Sequence, residues 1–207
     1  MSKTYVIHPA DAILSDVTVI PDVQGLYAFM LKDAEALAGP LERAGLAMDV
    51  MGIGKAPLIY IGASGDSLRR RVRCHLRDDT QNSTFRMSLG ALLIDQLGLT
   101  VKPIPYKGVF GFTRPDEARL TAWMAEHLDV GVLPAVRPLE MERRAIIQED
   151  PVLNISGRRA HDAAWQVLLL RRRCLDQTLV DAAAMAQAPV GEVTSMKSAA
   201  GGAGVPA

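Results

Sequence analysis

Two short apolar runs, Gly25 to Leu31 (GLYAFML) and Pro57 to Gly62 (PLIYIG), are uninterrupted by charge and rich in aromatic and branched side chains. That pattern predicts strands buried on both faces, and their similarity suggests that they pair. Between them, Ala34, Leu37, Leu41, Ala44 and Met48 recur at helical spacing, weakened by Gly39, Pro40 and Gly45, so the connection is read as a decorated insertion. After Gly62 a turn, Ala63-Ser-Gly-Asp, leads to Asp66 or Ser67 as helix N-cap, and Leu68, Val72 and Leu76 mark the buried stripe of a helix ending near Leu76.

Further along, Phe85 to Leu97 predicts a helix with Leu89, Leu92, Leu93 and Leu97 inward and a stop at Gly98. Val109-Phe-Gly-Phe is a candidate strand. Pro115 opens a helix to about Leu128 whose apolar face is Leu120, Trp123, Met124 and Leu128. Val130 to Val136 predicts a third main strand, with Pro134 turning its end into an edge. A helix from Pro138 stops at Asp150-Pro151, and a last one, about Ala160 to Gln177, carries Trp165, Leu168, Leu169 and Leu175. At the start, Thr4 to His8 is a short β-branched run cut by Pro9, and Asp11 to Asp16 suits one helical turn.

The pattern therefore predicts an α+β fold: a small, largely antiparallel sheet flanked by helices, with helical insertions. Residues 1–20 are expected as a lead-in, 21–158 as the main domain with insertions at about 32–56 and 100–128, and 159–180 as a helix packed upon it. From 188 to 207 Ala, Gly, Ser and Val dominate, which predicts a disordered tail.

Composition adds less. Apolar residues make up 49% and charged residues 22%, an ordinary globular balance. No apolar run reaches the roughly 20 residues needed to span a bilayer, and the start lacks the apolar core of a secretion signal, so a soluble cytoplasmic protein is expected. Cys74 and Cys174 form no C-x-x-C pair and imply neither a metal site nor a disulfide framework. Lys plus Arg (23) balances Asp plus Glu (23), so the chain as a whole does not advertise for nucleic acid. The distribution is less even: Arg69, Arg70, Arg71, Arg73 and Arg77 cluster without an acid, and Arg171 to Arg173 form a second group. Such a cluster either lines a phosphate track or makes a solvated helix face.

Three ordered blocks carry the chemistry. Gly25-Leu26-Tyr27 followed by Tyr60-Ile61-Gly62 resembles the paired motif that names the GIY-YIG nucleases. Leu68, Arg71 and His75 occupy the places of that family's helix motif, and the segment from Glu142 to Pro151 and Asn154 resembles its metal-binding glutamate helix and following asparagine. Together the blocks span Gly25 to Asn154.

The resemblance implies a Mg²⁺- or Mn²⁺-dependent endonuclease built on Tyr27, Tyr60, Arg71, His75, Glu142 and Asn154, with DNA as the expected substrate. Glu142 is implied as the sole protein ligand of the ion, which suits a cation commonly held by one or two carboxylates and several waters. Arg71 would pair with phosphate oxygens. His75, with an ordinary pKa near ~6.5, would take a proton or touch the phosphate. One of the two tyrosines is implied as part of the general base, and Asn154 as a support of backbone geometry. Gly62 would let the helix start approach the phosphate, while Arg69, Arg70, Arg73 and Arg86 are candidate substrate contacts.

The 32 residues from Ala28 to Ile59 exceed the connection usual in the family, and Ala63 stands where some relatives carry lysine. Neutral charge predicts weak unaided affinity for DNA, which leaves room for a protein partner or a specialised substrate. Two other readings are a non-catalytic nucleic-acid-binding module that kept the fold and a nuclease acting on RNA.

Overall fold

The computed structural model describes residues 4–47, 56–77, 79–104, 109–158 and 161–187. The end of the first insertion and the expected tail at 188–207 lie outside the described residues. The main sheet has four strands in the order β1-β6-β2-β3, every neighbouring pair antiparallel. These are β1 (Val6–Pro9), β2 (Gly25–Leu31), β3 (Leu58–Ser64) and β6 (Leu128–Pro134). A two-stranded ribbon pairs β4 (Val101–Pro103) with β5 (Phe110–Phe112). The α+β class is the one expected.

Seven helices surround the sheet among the described residues: α1 (Ala10–Ser15), α2 (Glu35–Arg43), α3 (Leu68–Arg77), α4 (Thr84–Leu97), α5 (Arg114–His127), α6 (Pro138–Glu149) and α7 (His161–Gln187). The strands β2 and β3 are apolar on both sides because both sides are covered. Tyr27, Phe29, Leu31, Val130 and Val132 face one core with α3, α4 and α5, while Leu26, Ala28, Met30, Ile61 and Leu133 face a second, smaller core closed by Ile146 of α6. Burying such a side chain is worth about 1.5–3 kcal/mol each, so the sheet is the most firmly held part of the chain.

The register carries one irregularity that matters to the site. Phe29 pairs with Tyr60 and Met30 with Leu58, so Ile59 is an extra residue on β3. The Ile59 carbonyl, freed from the ladder, accepts instead from the Leu153 N–H at 2.9 Å. In consequence Ile59 and Tyr60 both point into the larger core.

Four features differ from the sequence expectations. The stretch read as a lead-in supplies the edge strand β1, paired with β6, and leaves Val6 and Ile7 exposed on it. The strand carrying Pro134 is interior to the sheet, with the proline tolerated as its last residue. Helix α4 is buried nearly all round, because α7 lies against the side that would otherwise meet water. On α7 itself Trp165 and Leu168 are exposed at 59% and 38%, and the inward stripe is Ala164, Val167, Arg171 and Cys174.

Candidate active site

The turn after β3 folds for local reasons. The Ser64 Oγ accepts from the Ser67 N–H at 3.1 Å, and the Ser67 Oγ accepts from the Arg70 N–H at 3.0 Å, so Ser67 is the N-cap that starts α3. Leu68, Val72, His75 and Leu76 are its fully buried residues. At roughly 100° per residue, Arg71 flanks this stripe next to His75, whereas Arg70, Arg73 and Arg77 fall on the opposite face. One arginine of the cluster thus reaches the sheet.

Where it reaches is Tyr27. The Arg71 Nε–H approaches the Tyr27 hydroxyl at 3.4 Å, and that hydroxyl lies 2.7 Å from His75 Nε2. His75 Nδ1 is 2.6 Å from Ser83 Oγ, which also accepts from the Arg86 N–H at 3.0 Å as the N-cap of α4. Arg71 can only donate, so the Tyr27 hydroxyl accepts from it; with the Tyr27 proton given to His75 Nε2, the Nδ1–H goes to Ser83 and both ring nitrogens are paired. Burial, then the charges of Arg71 and Arg86, hold the His75 pKa well below its ordinary value, so the imidazole is neutral. Burial also raises the Tyr27 phenol far above its usual range.

Tyr60 sits two positions out of register with Tyr27. Its cross-strand partner is Phe29 and that of Tyr27 is Gly62, and the two tyrosine rings stack at 26° with centroids 6.5 Å apart. A Cβ on Gly62 would lie 2.2 Å from the Tyr27 hydroxyl, so only glycine lets this ring lie flat across β3. The Tyr60 hydroxyl is 3.2 Å from Thr84 Oγ1 and borders an open cleft of about 540 Å³. Burial raises its pKa, opposed by the bond to Thr84 and by the guanidinium groups of Arg71 and Arg171.

Glu142, on α6, lines the same cleft. Its carboxylate accepts from the Ala63 N–H, and burial raises its pKa against that bond and the charge of Arg71. Asn154 is nearby and 5% exposed. Its Oδ1 accepts from the Ile61 N–H at 2.9 Å and its Nδ2 donates to the Ile61 carbonyl at 2.8 Å, the pattern of a neighbouring strand supplied by one side chain. The turn delivering Asn154 is pinned by Arg158, which holds Asp150 in its left-handed conformation and also donates to the Val152 carbonyl. Sequence reading gave no role to Arg158.

Tyr27, Tyr60, Arg71, His75, Glu142 and Asn154 are therefore brought together, in two layers. Tyr60, Glu142 and Asn154 border the cleft, with Arg71 close enough to Tyr60 and Glu142 to bias their protonation. Tyr27 (1% exposed) and His75 (0%) lie behind. A phosphate contact by His75 is excluded by this burial. Gly62 likewise gives no approach to phosphate, being covered by the Tyr27 ring.

Arg86 needs the largest correction. It is fully buried, ion-paired with Glu117 at 2.6 Å, and donates to the carbonyls of Leu76 and Glu117. The partner that makes this possible is Glu117, 31 residues on, which also binds the Thr80 and Phe112 N–H groups. Arg69 donates to the Ile20 carbonyl and faces Asp22, while Arg70 pairs with Asp66. Arg73 is exposed on the outer face of α3. None of these is gathered at the cleft. Arg171, part of the basic run Arg171 to Arg173, is.

Among the described residues no three His, Cys, Asp or Glu side chains cluster as a metal cage. A lone carboxylate on a cleft wall still fits a Mg²⁺ or Mn²⁺ ion that takes its other ligands from water and substrate oxygens. Glu142 is the side chain placed to offer it. Among the described residues no helix is long and apolar enough to cross a membrane.

The family model described as the GIY-YIG catalytic domain matches residues 25–173 of the chain. No curated protein and no solved structure matches the chain.

Proposed function

Since the chain belongs to the GIY-YIG catalytic-domain family, a family of nucleases, we propose that it is a divalent-metal-dependent endonuclease hydrolysing phosphodiester bonds, in DNA first of all. One observation carries the reading: Tyr60 and Glu142 share the wall of one open cleft with Arg71 beside both. A base, a cation and a carboxylate thus converge where a phosphodiester can enter.

Arg71 binds two phosphate oxygens and stabilises the charge that builds on them. Its Nε stays on Tyr27, and the chain through His75 to Ser83 holds Tyr27 in turn, so these residues position the guanidinium. Tyr60, the hydroxyl at the cleft, takes the proton of the attacking water in its phenolate form, favoured by Arg71 and Arg171 against burial. Glu142 holds Mg²⁺ or Mn²⁺ through its carboxylate, with the Ala63 N–H fixing the rotamer. When bound, the ion supplies Lewis-acid stabilisation of the leaving oxygen. Asn154 keeps β3, and with it Tyr60, in place.

The burial of Tyr27 and His75 favours a second reading, a nucleic-acid-binding module without catalysis. One experiment separates the two. The purified protein is incubated with supercoiled plasmid, single-stranded and branched DNA, and RNA, in Mg²⁺, Mn²⁺ or chelator. Metal-dependent cutting of DNA is expected; binding with no cutting of any substrate supports the module, and cutting of RNA alone reassigns the substrate.

A further inference from the structure

The cleft is larger than the phosphodiester chemistry requires. At about 540 Å³ it has the size of a small-molecule pocket, and Ile146, Leu153, Ile155 and Leu168 give part of its wall an apolar surface. Thr84, Ser88 and Ser156 bring hydroxyls to that wall, and Arg143 and Asn154 also line it. Ser88 is 1% exposed, and its Oγ has no hydrogen-bond partner among the described residues. A buried hydroxyl left unpaired costs about 1–3 kcal/mol, so its presence on a pocket wall points to a ligand that bonds to it.

Arg171 adds a cation to the cleft. It occupies the inward stripe of α7 with Val167 and Cys174, both buried, where an aliphatic residue would be expected. Its guanidinium donates to Met87 Sδ at 3.3 Å, a weak acceptor, and among the described residues it pairs with no carboxylate. A cation set into apolar surroundings without an anion is costly, and a phosphate would offset that cost.

We propose that this cleft is a nucleotide subsite, taking one nucleotide unstacked from its strand beside the scissile phosphate. The base lies against Leu153, Ile155 and Leu168, Ser88 and Thr84 hydrogen-bond its edge, and Arg171 binds the adjoining phosphate. This rests on the assignment of Tyr60 and Glu142 to the scissile phosphate. The favoured substrate is then a strand unpaired at the cut position, because a paired base is unavailable to a pocket without the cost of unstacking, a few kcal/mol.

The test reads binding apart from cutting. Full-length protein with labelled methyl groups is titrated with dAMP, with dTMP and with inorganic phosphate. The mononucleotides should shift the Leu153, Ile155 and Leu168 methyls and bind about tenfold more tightly than phosphate. Leu168→Trp fills the cleft from a partly exposed position and should weaken the mononucleotides about tenfold at an unchanged melting temperature. Arg171→Met should weaken mononucleotides and phosphate alike. In the cutting assay, Leu168→Trp should lower the ratio of single-strand to duplex cleavage. Methyls that do not move, or phosphate that competes on equal terms, would overturn the subsite whether or not the protein cuts. Mononucleotide binding in a protein that cuts nothing would leave the subsite and remove the hydrolytic reading.

Discussion

Replacing Tyr27 or Tyr60 by phenylalanine removes one oxygen in each case, yet the two oxygens do different things. The Tyr27 hydroxyl is the middle of a buried chain, 2.7 Å from His75 Nε2 and 3.4 Å from Arg71 Nε. Without it His75 Nε2 is an unpaired acceptor in a site with no solvent access, which costs about 1–3 kcal/mol. For a chain of this length a loss of about 2 kcal/mol lowers the melting temperature by roughly 4–8 °C. Arg71 also loses its anchor, and the rate should fall about tenfold through poorer phosphate positioning. Tyr60 makes a longer bond, 3.2 Å to Thr84, at the rim of a cleft where water can replace it, so Tyr60→Phe should cost under about 1 kcal/mol. Its rate should fall by about 10²–10⁴, the contribution of a general base. Thermal melts and single-turnover plasmid nicking read both quantities. The opposite ordering, with Tyr27→Phe inactive at unchanged stability and Tyr60→Phe active but unstable, would refute the two-layer assignment.

Other outcomes follow from the same contacts. Tyr60 is held above its ordinary pKa of 10, so its phenolate fraction grows tenfold per pH unit across the neutral range; the rate should climb with a slope near one over about pH 7 to 9, and Tyr60→Phe should flatten it. A flat wild-type profile would exclude Tyr60 as the base. His75 is neutral in the folded protein, with a pKa below the 6.5 of the unfolded chain. Below about pH 6.5 the unfolded state therefore binds a proton that the folded state refuses, so stability is intact above that pH and falls beneath it by at most about 1.4 kcal/mol per unit. Melts of wild type and His75→Gln between about pH 8 and 5 should show the steeper decline in wild type; parallel curves would contradict the burial of a neutral imidazole. Arg86→Met strands the Glu117 carboxylate in the core and should destabilise by about 3–5 kcal/mol, while the folded fraction keeps its DNA affinity. Lost affinity at an unchanged melting temperature would restore Arg86 to the substrate.

The parts of the molecule legible in the sequence are those set by local pattern. The spacing of Leu68, Val72 and Leu76 identified a stripe that is buried in the structure, and Ser67 capped α3 from the expected side. The runs around Tyr27 and Tyr60 paired as strands, although with a bulge at Ile59 that depends on the distant Leu153 N–H. What local pattern could not reveal depends on partners far along the chain. Arg86 resembles a surface cation until Glu117 is known to meet it, and α4 resembles a one-sided helix until α7 covers its other face. Val6 to Pro9 is too short to declare itself a strand without the β6 edge it completes. On α7 the conspicuous Trp165 and Leu168 drew attention from the true inward stripe, because an arginine occupies one of its positions. The ordered set of Tyr27, Tyr60, Arg71, His75, Glu142 and Asn154 was legible through its resemblance to the GIY-YIG motifs, whereas its division into cleft wall and buried support depends on the burial of each side chain.

On the proposed mechanism a divalent ion held by the Glu142 carboxylate, with Arg71 and Tyr60, breaks a phosphodiester at this cleft. The most direct measurement compares wild type with Glu142→Gln, a substitution that keeps size and removes the charge a cation needs. With both proteins shown to melt at similar temperatures and to bind DNA within a few-fold of each other, Mg²⁺-dependent cleavage by the variant should fall by about 10²-fold or more. Cleavage by Glu142→Gln at close to the wild-type rate, or wild-type cleavage that persists in chelator, would contradict it.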